Sequence, residues 1–222
     1  RTIAVSARSR DKLAALEDEV TGAVAYPMDV CDADVVRRSV EDIESKHGPI
    51  DLAVLNAGTW SMTSAKGFDL DAIRTGVDVN YMGVMNALHA LLPGMLERKK
   101  GHIAITASVA GYRGLPNAIA YGPTKAALIN LAETLRTELA SEGITVSLVN
   151  PGFVDTPLTQ DNPFPMPQIM TADDAAIAML RGLEQKKYEI CFPYPFVLMT
   201  KALRLMPNAM YFWFVRKFIS KG

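Results

Sequence analysis

The sequence predicts an α/β domain built on a doubly wound parallel sheet. Apolar runs that fit β-strands alternate with helical patterns along the chain, as in a parallel sheet covered by helices on both faces. Most of these runs are apolar throughout, as expected for strands that are buried on both sides. Polar or glycine-containing clusters follow five of the runs. Because ligands bind beyond the carboxyl ends of such strands, these clusters mark the candidate site.

Each element has its own local signal. The strand candidates are short apolar runs, and they span 2–7, 23–28, 51–55, 103–107 and 145–149. The helix candidates have helical spacing of apolar residues, as Val36, Val40 and Ile43 show. They span 11–17, 34–46, 70–76, 80–98 and 118–139. Right-handed crossovers between successive strands then predict a doubly wound fold.

The composition is that of one globular domain. The chain has 222 residues, of which 49% are hydrophobic, enough for one well-buried core. A net charge of −1 argues against a general nucleic-acid-binding surface. Cys31 and Cys191 belong to no Cys-x-x-Cys pattern, which predicts reduced thiols and a cytoplasmic protein. His47, His89 and His102 lack metal-ligand spacing, so we expect no metal site.

Residues 108–125 carry the strongest chemical signal. Ser108 follows the strand 103–107, and Tyr121 and Lys125 lie four residues apart in the next helix, on one face and within reach of each other. A phenol with a pKa near ~10 is a poor acid or base at neutral pH, and an ammonium about 4 Å away supplies roughly the 4 kcal/mol that would bring this pKa to about 7. The pattern predicts Tyr121 as a general acid/base and Ser108 as a hydrogen-bond donor to the same substrate oxygen. Taken alone, the Tyr–Lys spacing also fits a surface helix pair.

Further motifs occur in a fixed order along the chain. Asn56-Ala57-Gly58 follows the strand 51–55, Asn80 begins a helix candidate, and Pro151-Gly152 follows the strand 145–149. A purely structural interpretation makes Asn56 part of a turn and Asn80 a helix N-cap. Together with Tyr-x-x-x-Lys and a serine thirteen residues earlier, however, the set resembles the short-chain dehydrogenase/reductase family from about residue 2 to residue 188. The resemblance implies a Rossmann-like, NAD(P)-dependent oxidoreductase.

The same resemblance implies a role for each motif. Tyr121 would be the acid/base, and Lys125 would lower its pKa and bind a ribose hydroxyl. Ser108 would orient the substrate carbonyl, and Asn80 would hold a water that links Lys125 to solvent. Asp29 and Val30 would contact the adenine, and Asn56, Ala57 and Gly58 would line the cofactor. The residues around the nicotinamide would be Pro151, Gly152, Val154 and Thr156. Thr156 would hold the carboxamide.

Arg8 determines the expected cofactor. At this strand end an acidic residue binds the ribose hydroxyl of NAD, whereas an arginine suits the 2′-phosphate of NADP. Here Ala7 occupies the acidic position, and Arg8 follows it, with Ser9 and Arg10 close by. The sequence therefore favours NADP(H) over NAD(H), the alternative being a solvated arginine at a strand end.

One feature of the family is absent from the sequence. The family begins with a strand, a glycine-rich turn and a helix that bind the pyrophosphate, but neither Gly-x-x-x-Gly-x-Gly nor Gly-x-Gly-x-x-Gly occurs here. Because that strand is central in the sheet, its absence should leave a divided sheet with two apolar edges, which is an aggregation hazard. We therefore expect the natural protein to carry about 30 further residues before Arg1, one strand-turn-helix unit.

The C-terminal segment differs in composition from the rest. Residues 192–222 contain no Asp or Glu but five Lys or Arg residues among aromatic and aliphatic ones, and Pro207 divides them into two short helix candidates. We interpret 1–190 as the dinucleotide-binding and catalytic domain and 191–222 as a basic, apolar helical segment. Three interpretations of this segment stay open: a lid over an apolar substrate, a subunit interface or core packing, and a patch that rests on an anionic membrane surface.

These observations predict an NADP(H)-dependent oxidoreductase. It would interconvert a carbonyl and a secondary alcohol on an apolar small molecule, with hydride passing between the nicotinamide and the substrate carbon. We expect a cytoplasmic homodimer or homotetramer, with peripheral membrane contact through 192–222 as an option. One alternative is a catalytically idle nucleotide-binding sensor or scaffold. Another is a sugar-nucleotide epimerase, which shares Tyr-x-x-x-Lys but usually has a larger substrate domain than the residues after Pro151 provide.

Overall fold

The strands of the computed structural model form two parallel sheets. The structure describes residues 2–160, 162 and 165–219, so the parts of the predictions that involve Arg1, Lys221 and Gly222 lie outside the described residues. The strands are β1 (Ile3–Ala7), β2 (Ala23–Pro27), β3 (Leu52–Leu55), β4 (Gly101–Thr106), β5 (Ile144–Pro151) and β6 (Glu189–Phe192). β1 pairs with β2, and the other four pair in the order β3-β4-β5-β6. Every pair is parallel, so the strands of each sheet end at one edge.

Helices connect successive strands, and the last two described helices follow β6. They are α1 (Arg10–Glu19), α2 (Ala33–His47), α3 (Leu70–Val77), α4 (Gly83–Glu97), α5 (Gly122–Glu138), α6 (Ala172–Glu184), α7 (Tyr194–Leu205) and α8 (Asn208–Phe214). Polar side chains cap several of them: Asp32 accepts from the Val35 N–H before α2, and Thr171 accepts from the Asp174 N–H before α6. These bonds satisfy backbone donors that the first helical turn leaves unpaired. A π-helical turn, Asp78–Met82, joins α3 to α4.

The main core lies around β4 and β5. Ile103, Ile105 and Val146 are fully buried there, and Leu88 of α4 and Leu128 of α5 belong to the same core. Such burial on both faces explains why most residues of these strands are apolar.

His102 of β4 is a structural residue of this core. Its Nε2 lies 2.9 Å from the Ser147 hydroxyl of β5, and burial lowers its pKa.

β1 and β3 are edge strands of the two sheets, and both have exposed apolar side chains. Ile3 in β1 is 50% exposed, and in β3 Leu52 and Val54 are 41% and 42% exposed. β1 and β3 are not hydrogen-bonded to each other. The expected division of the sheet is therefore present in the described chain, with apolar side chains on both sides of it.

Helix contacts join the two sheets. Arg98, at the end of α4, donates to Glu44 of α2 at 3.1 Å and to the Ile50 carbonyl at 2.7 Å. Asn86 of α4 donates to the Val30 carbonyl, beyond β2, at 2.8 Å. The two-stranded sheet is thus held to the rest of the molecule through α2 and α4 rather than through a strand ladder.

The structure confirms the α/β class with parallel strands and differs from the predicted elements in three places. The helix that contains Lys125 begins at Gly122 rather than at 118, because Asn117 and Ile119 are hydrogen-bonded to Thr63 and Pro123 suits the first turn of a helix. The segment predicted as two helices, 70–76 and 80–98, is joined by the π turn. The sequence analysis assigned neither α6 nor β6.

The C-terminal segment packs in two parts. Phe196 and Val197 of α7 belong to the main core, whereas Leu203, Tyr211 and Val215 form a separate small cluster with α8. Met206 and Pro207 separate the two helices, as predicted from the proline. Among the described residues, none of the helices is both long and apolar enough to cross a membrane. The boundary at residue 190 stays a prediction.

Candidate active site

The N-terminus of α5 brings Tyr121 and Lys125 together. Tyr121 is the N-cap residue, and Lys125 lies one turn further along. The Lys125 ammonium is 5.5 Å from the centroid of the Tyr121 ring. It also donates a hydrogen bond of 2.9 Å to the Thr106 carbonyl at the end of β4. Lys125 is only 3% exposed, so the pair is a buried feature and not a surface helix pair.

Burial controls the protonation of both side chains. It lowers the pKa of Lys125 to about 8, because a buried ammonium loses its hydration. Burial also raises the pKa of Tyr121, while a hydrogen bond to the Ser108 hydroxyl acts in the opposite direction. The charge of Lys125 was expected to lower the pKa of Tyr121 to about 7. This lowering is not seen in this structure. The loss of hydration at the phenol outweighs the attraction of the neighbouring charge.

Ser108 lies between the ends of β4 and β5. Its backbone is extended, and its hydroxyl accepts from the Ala110 N–H at 3.1 Å at the start of a short 3₁₀ turn. The hydroxyl also lies 3.5 Å from the Pro151 carbonyl, as a long donor contact. With the contact to Tyr121, Ser108 links two of the strand ends that the sequence analysis selected.

Asn80 is fully buried in the π turn between α3 and α4. Its Oδ1 accepts from the Thr59 N–H at 2.7 Å, and its Nδ2 donates to the Thr59 carbonyl and to Thr124 Oγ1, both at 3.1 Å. Asn80 is therefore not a helix N-cap. It ties the loop after β3 to the first turn of α5, and π turns recur at functional sites.

Gly58 places the loop after β3 next to this group. A Cβ on Gly58 would lie 3.5 Å from Asn80 Oδ1 and 3.6 Å from the Lys125 ammonium. Asn56, Ala57 and Gly58 are exposed. The loop therefore offers accessible backbone beside Asn80 and Lys125, as the close approach of a ligand would require.

Trp60 is a residue of the site that the sequence analysis missed. Its ring meets the Tyr121 ring edge-on, with centroids 5.2 Å apart and planes at 86°. It lies two residues after Gly58 in a strand-end loop, and the sequence alone gives no signal that its ring meets Tyr121. Thr59 and Thr124 were missed as well. Both are hydrogen-bonded to Asn80, and Thr124 also donates to the Tyr121 carbonyl at 2.7 Å.

Arg8, Asp29 and Val30 lie at the ends of β1 and β2. Asp29 accepts from the Cys31 N–H at 2.9 Å. This bond lowers the pKa of Asp29, and the charge of Arg8 lowers it further. Arg8 and Asp29 are exposed, while Val30 is half-buried. None of the contacts of these three residues described here reaches Tyr121 or Ser108.

The residues after β5 form a second loop beside the site. The Gly152 N–H donates to the Phe192 carbonyl at 2.7 Å, and the Val154 carbonyl accepts from Thr159 Oγ1 at 2.7 Å. Thr156 donates through its N–H to Thr159 Oγ1 at 3.2 Å. Pro151 is in contact with Ser108. This loop is therefore held to β6 and to its own turn, with Pro151 next to the catalytic candidates.

A polar cluster around Glu189 was also not predicted from the sequence. The Glu189 carboxylate accepts from Tyr112 at 2.5 Å, from Asn150 at 2.9 Å and from Lys201. Burial alone would raise the pKa of Glu189, but these donors outweigh it and the pKa is lowered. The cluster joins the turn after Ser108 to β5, β6 and α7. Its signal was an acidic residue in the apolar run Glu189–Phe192.

The described residues contain no group of His, Cys, Asp and Glu side chains that could hold a metal ion. The polar side chains gathered at the strand ends are instead a phenol, a hydroxyl, an amide and an ammonium. Such a set can hold a carbonyl oxygen and move a proton to or from it.

Comparison with known proteins agrees with this geometry. The short chain dehydrogenase family profile matches residues 1–164. An uncharacterized oxidoreductase of Myxococcus xanthus is 36% identical over 208 residues, covering 92% of this chain and 82% of that protein.

Solved structures give the same result. A short chain dehydrogenase of Burkholderia cenocepacia in complex with NADP aligns with a TM-score of 0.82 at 25% identity, covering 96% of this chain and 86% of that one. A gluconate 5-dehydrogenase of the same organism, in complex with NADP and tartrate, aligns with a TM-score of 0.67 at 27% identity, covering 73% and 66%. The chain therefore belongs to the short-chain dehydrogenase family and is an oxidoreductase of the NAD(P)-dependent type.

Proposed function

We propose that the protein interconverts a carbonyl and a secondary alcohol with NADP(H), and that Tyr121 transfers the proton. The observation that carries this proposal is the arrangement at the start of α5, where the Tyr121 phenol bonds to the Ser108 hydroxyl and lies next to the buried Lys125 ammonium. One substrate oxygen can be bound by both hydroxyls. Ser108 would then hold the oxygen in place while Tyr121 exchanges the proton.

The pKa directions favour Tyr121 as a proton donor. Burial raises the pKa of the phenol, so it is protonated at neutral pH, which is the form required when a carbonyl is reduced. The alkoxide formed on the substrate is a stronger base than a phenolate and takes this proton. Lys125, with a pKa of about 8, is the nearby group that can return a proton to Tyr121 near neutral pH.

The candidate cofactor residues fit a dinucleotide at the strand ends. The loop Asn56-Ala57-Gly58 is exposed beside Lys125, and Pro151 begins the facing loop. A bound nicotinamide would supply or accept the hydride. In this proposal Asn56 to Gly58 and Pro151, Gly152, Val154 and Thr156 hold the nicotinamide half, Asp29 and Val30 hold the adenine half, and Asn80 fixes the loop after β3.

The preference for NADP(H) rests on Arg8. Its guanidinium is exposed at the end of β1, where it can pair with a 2′-phosphate. Two of the similar structures were solved with NADP.

Three finer features belong to the same proposal. Trp60 against Tyr121 gives the site an aromatic wall, which favours an apolar substrate.

The free thiols of Cys31 and Cys191 support a cytoplasmic location. Assembly as a homodimer or homotetramer would account for some of the exposed apolar residues of the helices, such as Ile177 and Leu180 of α6.

Turnover of a panel of ketones, followed by NADPH absorbance, tests the reaction. Tyr121→Phe should lower kcat by roughly 10²–10⁴-fold, the usual contribution of a general acid/base, with NADPH affinity retained. Tyr188→Phe is the matched control, because the Tyr188 hydroxyl has no hydrogen-bond partner among the described residues. NADPH binding with no turnover of any ketone or alcohol would instead favour the idle nucleotide-binding protein.

Exchange of Arg8 tests the cofactor preference. Arg8→Asp should weaken NADPH binding and strengthen NADH binding, because it replaces a phosphate partner with an acceptor for the ribose hydroxyl. Arg38→Asp, an exposed arginine of α2, controls for the change in charge. Equal weakening of both cofactors would contradict the assignment of Arg8.

A further inference from the structure

Helix α8 is fixed to the molecule along one face. Tyr211 and Val215 are buried against Leu203, and the Tyr211 hydroxyl donates to the Gly114 carbonyl. Arg113 stacks on the Tyr211 ring, with its guanidinium carbon 4.3 Å from the centroid. It also donates to the Arg204 and Met206 carbonyls, both at 3.1 Å. The orientation of α8 is thus set by contacts on its inner side.

The other face of α8 and of the π-helical turn that follows it, Val215–Ile219, is aromatic and exposed. Met210, Trp213 and Phe218 are 56%, 54% and 59% exposed. Trp213 and Phe218 meet edge-on with centroids 6.0 Å apart. This face opens into a groove of about 460 Å³, lined by Met206, Ala209, Met210, Trp213 and Phe214. We call these five residues and Phe218 the α8 surface.

The charged residues of this segment that lie next to the α8 surface, among those described, are positive. Lys217 lies over the Trp213 ring at 4.9 Å and over the Phe218 ring at 5.4 Å, and Arg216 is exposed next to it. The sequence has no Asp or Glu after Glu189. Two cations of the segment are paired elsewhere, Lys201 with Glu189 and Arg204 with Glu133. Arg216 and Lys217 therefore give the α8 surface a positive rim.

This charge pattern favours an anionic lipid surface over a second copy of the chain as the partner of the α8 surface. In a two-fold dimer the same patch meets itself, so Arg216 and Lys217 would lie against a patch that has no acidic residue of the segment to pair them. An anionic lipid surface supplies the missing negative charge. Its interfacial region also accommodates Trp and Phe rings, with the lysine and arginine heads among the phosphates.

We propose that the α8 surface docks the protein onto the interface of an anionic phospholipid bilayer. Trp213, Phe218 and Met210 enter the headgroup region, and Arg216 and Lys217 bind lipid phosphates. The contact is peripheral, and α7 stays in the core through Phe196 and Val197. Docking does not depend on the reaction proposed above, because it involves neither Tyr121 nor the cofactor residues.

Vesicle binding tests this proposal directly. The protein should co-sediment with vesicles of phosphatidylcholine and phosphatidylglycerol and bind much less to phosphatidylcholine alone. Raising the salt from about 0.1 M to about 1 M shortens the screening length from about 10 Å to about 3 Å, so binding should fall. Trp60→Phe leaves Trp213 as the single tryptophan. Its emission should shift to the blue when the anionic vesicles are added.

Charge reversal provides the matched comparison. Arg216→Glu with Lys217→Glu should weaken binding to the anionic vesicles by at least about tenfold, since each basic residue near such a surface contributes about 1 kcal/mol. Lys186→Glu with Lys187→Glu changes the net charge equally at an exposed pair before β6 and should have a much smaller effect. Circular dichroism checks that both variants fold.

Three results would overturn the proposal. The first is the absence of binding to anionic vesicles. The second is binding that both charge-reversed pairs weaken equally. The third is a dimer in light scattering that Trp213→Ser converts to a monomer while vesicle binding is unchanged, which would assign the α8 surface to a second copy of the chain.

Discussion

Lys125 shows, at the level of one side chain, how burial and catalysis are linked. Its ammonium is held by the Thr106 carbonyl and is almost completely buried. Burial lowers its pKa to about 8 from the ordinary value of 10.5. The folded protein thus keeps a destabilising buried ammonium next to Tyr121, where proton transfer to the phenol requires one.

This shift predicts a pH dependence of stability. Between pH 8 and pH 10.5 the unfolded chain binds more protons at Lys125 than the folded chain does, so the free energy of unfolding rises with pH. The wild type should gain up to about 3 kcal/mol relative to Lys125→Met over this interval. Urea denaturation of both proteins near pH 8 and near pH 10 measures it. The raised pKa values of Tyr26, Tyr112, Tyr121, Tyr188 and Tyr211 are common to both proteins. A constant difference would show that Lys125 titrates normally.

Trp60 should position Tyr121 rather than take part in proton transfer. The edge-on ring pair is worth about 0.5–1.5 kcal/mol, so Trp60→Ala should lower kcat/KM by about 2- to 10-fold on a small ketone. Trp60→Phe can keep an edge-on contact and should restore most of this loss. If both variants match the wild type, the ring contact does not orient the phenol.

At the scale of elements, the approach of α3 to the start of α5 orients Tyr121. A Cβ on Gly76 would lie 2.4 Å from the Ala120 carbonyl, a distance that requires the backbone to move. The absent side chain therefore lets α3 contact the residue before Tyr121 directly.

Gly76→Ala should destabilise the protein and slow catalysis together. Overpacking costs about 1–3 kcal/mol, against a gain of up to about 1 kcal/mol in helix propensity, and the displaced Ala120 moves Tyr121. Thermal unfolding and kcat measure both effects. Gly114→Ala is the control, since no atom lies within 4 Å of a Cβ there. An unchanged kcat in Gly76→Ala would mean that α3 shifts without moving Tyr121.

The elements that were predicted correctly are those with long or continuous signals. β4 and β5 are mostly apolar because both faces are buried, and α2 and α4 have regular apolar spacing. β6 has only four residues, of which Ile190 and Phe192 are buried, too short a pattern to recognise. The start of α5 was placed four residues early because alanine-rich sequence before Tyr121 favours a helix locally, while pairing of Ile119 and Asn117 with Thr63 holds it outside one.

The candidate site was predicted through its chemistry, and its neighbours were missed because they act through packing. Ser108, Tyr121 and Lys125 stand out as polar residues in an apolar stretch. Trp60 and Thr124 contact Tyr121 and Asn80 from distant positions in the sequence. A single sequence has no signal for such contacts. The direction of the Tyr121 pKa shift was wrong for the same reason, since the depth of burial is a property of the assembled site.

At the scale of the whole molecule, the two sheets differ in how they are stabilised. β4 and β5 are paired on both sides and form the main core. β1 and β2 pair only with each other, and β1 is largely exposed. Their link to the rest runs through α2, α4 and the contacts of Arg98 and Asn86. This link is made by helix faces and a few polar contacts, so the smaller sheet can open without disrupting the larger one.

Native-state hydrogen exchange of the 222-residue chain should resolve this difference. Amides of β1 and β2 should exchange through local opening with a lower free energy and a weaker denaturant dependence than those of β4 and β5, which should require global unfolding. β6 is the control for edge position, because it is an edge strand of the larger sheet with Ile190 and Phe192 buried. It should exchange more slowly than β1 and β2. If amides of β1, β2 and β4 exchange with the same free energy and the same denaturant dependence, then the α2–α4 contacts make the two sheets one cooperative unit.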